Sequence, residues 1–195
     1  MNELWNLPLY AEFGGRQWGI RADFRQVLSL LERMNQVAYG NLARGYLALA
    51  GFYPEYQEIP KHLRGQAMEW FLEFLQAGYP QTKQHSPKLI DWKQDQRMIV
   101  AEINRVAGCE VRQIEFVHWW TFLSWFSCIG EGQLATVVRI RQKLRTGKKL
   151  EPWEQEYFQQ NRAQVMIKQP ETSQQQQERR AVERWLEQME KGGRD

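Results

Sequence analysis

The stretch EFVHWWTFLSWFSCIG, Glu115 to Gly130, decides how the rest of the chain is read. It holds three tryptophans, Trp119, Trp120 and Trp125, with a lone histidine, His118, among them. Three readings are open: a membrane span, a catalytic pocket or a packed helix. A spanning helix needs about 20 mostly apolar residues. This run is shorter and is broken by His118, Thr121, Ser124 and Ser127. Its polar positions drift around a helix instead of forming one face, and a helix apolar on most sides is one that others wrap. The expectation is a central buried helix, with Trp120 on an inward stripe beside Phe116, Val117 and Leu123.

The chain around it has 195 residues, enough for one domain with a real core and a tail. Nine tryptophans and nine phenylalanines make that core aromatic. Lysine and arginine number 26 against 23 acids, a net charge of +3, too even to point to nucleic acid by itself. Cys109 and Cys128 form no paired framework, which favours a reducing compartment. The opening MNELWNLPLYAEF lacks a basic segment followed by an apolar run, so no signal peptide is expected.

Upstream, LYAEFGGRQWGI (residues 9–20) predicts a hairpin turning at Gly14-Gly15, since two glycines suit the positive φ angles of a primed turn. That register sets Leu9 opposite Ile20, Ala11 opposite Trp18 and Phe13 opposite Arg16, with one face buried and the other wet. Asp23 then reads as an N-cap with Gln26 as its capping-box partner, opening a helix with Phe24, Val27, Leu28, Leu31 and Met34 inward. A weaker helix spans about 40–50, and FYPEYQEIP reads as a loop. The next helix places Leu63, Ala67, Trp70, Phe71 and Phe74 on a stripe and ends at Gly78 and Pro80. DWKQDQRMIVAEINRVAG follows, with Asp91 as N-cap, Asp95 as charge near the first turn, Trp92, Ile99, Ile103 and Val106 inward, and Gly108 at its end. Beyond the central stretch, QLATVVRIRQKLRTGKKL and EPWEQEYFQQNRAQVM predict two more helices, with Pro152 in the first turn of the second.

After Pro170 the composition turns polar and glutamine-rich. The chain therefore divides into a helical domain over 1–170 and a polar linker with an amphipathic tail helix over 171–195. Val182, Trp185, Leu186 and Met189 repeat at i, i+3, i+4 and i+7, a stripe suited to a partner or a groove.

Little in the sequence points to catalysis. No histidine among His62, His85 and His118 has metal-ligand spacing to another histidine or a cysteine, so neither a metal nor a cofactor is expected. Glu115 and His118, at i and i+3, resemble half of an acid–base pair. With no nucleophile or glycine-rich loop beside them, a core histidine satisfied by a carboxylate or a carbonyl is the better reading. The cations Arg139, Arg141, Lys143, Arg145, Lys148 and Lys149 form a basic patch able to meet phosphate or an acidic partner. Without interleaved aromatics a solvated helix face is favoured and nucleic acid is not an expected partner.

These residues together form a further pattern. Ile20, Asp23, Phe24 and Arg25 after a short hairpin, then MEWFLEFLQAG, make its first half. Asp95, Ile99 and Ala101, then Ile114, His118, Trp119, Trp120 and Phe122, then the R-I-R of Arg139 to Arg141, make its second. In that order they resemble the tail assembly chaperones of long-tailed bacteriophages, small proteins encoded between the tail-tube and tape-measure genes. The resemblance covers about residues 7–170. The H-W-W-x-F core is its specific part, and the mixed-charge, glutamine-rich tail departs from the family's more acidic C-terminal region.

The resemblance implies a non-enzymatic protein that binds the tape-measure protein and keeps it soluble during tail assembly. It implies oligomers, the host cytoplasm and absence from the mature virion. A structural tail or connector protein and a DNA-binding helical regulator are the alternative readings. The expected fold is mostly α-helical, with an N-terminal β-hairpin and a C-terminal tail helix.

Overall fold

A computed structural model of the chain describes residues 6–35, 40–77 and 89–167. The domain is mostly helical behind an N-terminal hairpin, as the periodicity predicts. Strands β1 (Tyr10–Phe13) and β2 (Arg16–Gly19) pair antiparallel, with Ala11 opposite Trp18 and Phe13 opposite Arg16. Gly14 and Gly15 turn the corner at φ 61° and 74°, the left-handed values that such a turn requires. Gly14 has a second reason to be glycine, because an added Cβ there would collide with Leu63. Ala11, Phe13 and Trp18 face the core, and Phe13 stacks on Trp18 at 5.6 Å.

Helices α1 (Phe24–Met34), α2 (Asn41–Phe52) and α3 (Arg64–Leu75) pack in sequence, and α3 also covers β1. Asp23 caps α1 as predicted, but its side chain takes the Arg25 N–H instead of forming a box with Gln26. The segment read as a loop between α2 and α3 holds the short 3-10 turn Tyr56–Glu58 and buries Tyr53, Tyr56 and Ile59. The Tyr53 hydroxyl donates to the Ala67 carbonyl at 2.9 Å, and its burial raises the phenol pKa. Helix α3 stops at Leu75, short of the Gly78 and Pro80 expected to end it, which lie outside the described residues. Ala77, at φ 51°, takes the left-handed turn and returns its N–H to Phe74.

Helix α4 runs Gln96–Ala107 and ends at left-handed Gly108. It starts later than Asp91, whose carboxylate instead accepts the N–H groups of Lys93 and Gln94 in a preceding turn. Helices α5 (Trp119–Ser127), α6 (Gln133–Arg145), α7 (Pro152–Gln160) and α8 (Arg162–Val165) complete the domain. The predicted final helix is thus two, broken at Asn161, while Pro152 sits in the first turn of α7 as expected.

The opening stretch departs most from its reading. Residues 114–118 are not helical, and only nine residues, Trp119–Ser127, form α5. The helix is not wrapped all round: Trp119 and Phe122 are buried, whereas Ser124, Ser127 and Cys128 are exposed. Trp120 is half-buried and Phe116 is 49% exposed, so the inward stripe turns on Trp119, one position from the expected one. The early start of a helix assumed from Glu115 rotated the predicted face. Trp119 and Phe122 stack at 5.6 Å, and Phe122 stacks on Phe24 of α1 at 4.6 Å.

Candidate functional surface

Two polar junctions organise the described residues, and both draw on positions the sequence singled out. In the first, Asp23 and His118 face each other in an antiparallel bridge. The Phe24 N–H donates to Val117 at 2.9 Å, and the Trp119 N–H donates to Ala22 at 2.7 Å. Each bridge residue also heads a helix. Asp23 caps α1, and its other oxygen accepts the Val117 N–H at 3.2 Å. The Arg25 guanidinium grips both Asp23 oxygens, at 2.9 and 2.8 Å, and reaches on to the Glu115 carbonyl at 2.9 Å. Burial pushes the Asp23 carboxyl up, but hydrogen bonds from Arg25 and Val117 outweigh it and hold the group below its usual range.

His118 caps α5. Its Nδ1 accepts the Trp120 N–H at 3.1 Å, and Nε2 lies 2.9 Å from the Pro8 carbonyl. A carbonyl only accepts, so Nε2 carries the proton and the ring is the neutral tautomer. Burial lowers its pKa, and the Pro8 hydrogen bond opposes that shift only in part. The core histidine satisfied by a carbonyl, the better reading of the sequence, is what forms, while the Glu115 side chain is exposed and its backbone carbonyl is what Arg25 uses. Both ring nitrogens of His118 are committed, so the histidine acts as a cap. The next two residues extend the junction to α3. Trp119 Nε1–H donates to the Leu75 carbonyl at 3.1 Å, and Trp120 Nε1–H donates to Phe74 at 2.8 Å. The two indoles therefore tie the end of α3 down, one at Leu75 and the other as a further donor to the Phe74 carbonyl that Ala77 also uses.

The second junction corrects two readings. Asp95 and Arg141 are not surface charges; they are buried together, with side chains 0% and 4% exposed. Arg141 Nη1 and Nη2 donate to the two Asp95 oxygens at 2.6 and 2.8 Å. The remaining N–H groups serve the carbonyls of Val165 (2.6 Å), Leu89 (2.8 Å) and Gln164 (2.8 Å), so all of the fork's donors are used. Asp95 also accepts the Asp91 N–H at 2.9 Å. Gln94 adds a bond to the Met166 carbonyl at 2.8 Å. The end of α8 is thus held from two sides.

The proposed basic patch loses Arg141 and Lys143 to partners within the fold, while Arg139 stays exposed. Arg141 is internal, and Lys143 donates to the buried Glu154 at 2.7 Å, with Arg139 4.0 Å from the same carboxylate. Lys143 is the chief reason the Glu154 pKa is lowered. Arg145, Lys148 and Lys149 are exposed. The signal missed in the sequence is positional: Leu134, Val137 and Arg141 share the inward stripe of α6, so Arg141 was destined for the interior. Asp95 similarly precedes buried Met98 and Ile99 at i+3 and i+4.

Val182, Trp185, Leu186 and Met189, the partner-binding candidates, lie outside the described residues. Among the described residues no cluster of three or more His, Cys, Asp or Glu side chains could hold a metal, and no helix is long and apolar enough to cross a membrane. Cys109 and Cys128 are free and exposed. What the surface does offer is exposed apolar side chains: Leu42 is 93% exposed, and Tyr46, Tyr10 and Phe116 are each about half exposed. The sequence reading missed Leu42 and Tyr46, although their i, i+4 spacing in NLARGY puts them on one face of α2. Comparison with protein-family models, curated proteins and solved structures finds no match for this chain.

Proposed function

We propose that the protein is a non-enzymatic tail assembly chaperone of a long-tailed bacteriophage, which holds the tape-measure protein soluble in the host cytoplasm until the tail tube polymerises around it. The observation that carries this reading is where the residues of the resemblance fall. Asp23, Phe24, Arg25, Asp95, His118, Trp119, Trp120, Phe122 and Arg141 are joined by direct hydrogen bonds or ring stacking within the two junctions. Residues that hold one another in place in this way are what a likeness carried by shared architecture calls for. Ile20, Ile99, Ala101 and Ile114, which also belong to the resemblance, take no such part, and Ala101 is exposed.

The physical need is for apolar surface. A tape measure is a long protein whose extended helices carry apolar stripes, and such stripes self-associate when bare. The exposed Leu42, Tyr46 and Phe116 supply surface of that character. The alternative reading as a DNA-binding regulator loses Arg141 and Lys143 to internal partners. Co-expression with the tape-measure protein of the same genome tests the proposal. The expected outcome is transfer of the tape measure to the soluble fraction and its co-purification with this chain. An equally insoluble tape measure with and without the protein would overturn the reading. Abundant protein in purified virions would favour a connector instead.

A further inference from the structure

We draw no further inference here: the strongest candidate, the apolar face of α2 at Leu42 and Tyr46, is exposed, but nothing in the structure shows what covers it.

Discussion

The junctions at Asp95–Arg141 and at Asp23–His118 meet similar demands by opposite means. Each ties distant segments by satisfying backbone groups at the ends of helices and turns. The first encloses full charges: a carboxylate and a guanidinium, both sealed from water, hold Leu89, Gln164 and Val165 to α4 and α6. The second mixes a partly open Asp23–Arg25 pair with a neutral histidine. A buried ion pair adds little over a well-packed apolar substitute, yet losing one partner strands the other. A neutral cap carries a smaller penalty on loss, but it becomes sensitive to protonation. The C-terminal side of the domain is therefore expected to break on substitution, and the junction between the helix starts on acidification.

The largest effect should come from Arg141→Met, which leaves Asp95 buried without its counter-charge and takes the guanidinium from the carbonyls of Leu89, Gln164 and Val165, of which Gln164 keeps Gln94. A loss of about 3–5 kcal/mol is expected in urea unfolding followed by tryptophan fluorescence. Adding Asp95→Leu should return about 2 kcal/mol, because the stranded charge goes while the carbonyls stay without the guanidinium. A double variant no better than the single would show that the carbonyl ties, and not the charge pair, set the stability.

Asp23→Ala removes a helix cap and the acceptor for Val117 together, and it should lower stability by about 2 kcal/mol. Because the folded carboxyl titrates below its usual range, its contribution is present above the unfolded value and fades as pH falls through the folded one. The loss on substitution should accordingly shrink in strong acid. A loss constant down to pH 2 would mean that Asp23 acts by packing alone.

His118→Asn keeps a capping side chain but gives up the reach to Pro8, for about 1 kcal/mol near neutral pH. Its sharper signature is in pH. The folded histidine titrates below its ordinary 6.5, so below that value the unfolded chain binds the proton first. Stability then rises with pH across this window and falls on acidification. The wild type should lose stability from about pH 6.5 downward, and His118→Asn should flatten that slope. Parallel pH profiles for the two proteins would move the titrating group elsewhere and break the contrast between the junctions.

Local rules acting within a few residues were legible from the sequence. The Gly14-Gly15 turn, the register of Ala11 against Trp18, the Asp23 cap, the Gly108 stop and Pro152 in a first turn all follow from backbone preference or period-two burial. The helical class and the aromatic core follow from the spacing of apolar residues, which any packed arrangement must bury.

Tertiary structure decided how polar residues are spent, since their partners lie far along the chain. Arg141 looked like one of six surface cations until Asp95, 46 residues away, was brought against it. His118 read as a core histidine satisfied by a carboxylate or a carbonyl, and only the fold showed that the acceptor is the carbonyl of Pro8, 110 residues away. The same cause moved the inward face of the opening stretch from Trp120 to Trp119: the pairing of Val117 with Phe24 and of Trp119 with Ala22 holds His118 extended and delays the helix. Burial of an apolar side chain satisfies it against almost any neighbour, so periodicity alone foretells it. A hydrogen bond needs one donor aimed at one acceptor, and that geometry exists only once the segments have been folded together.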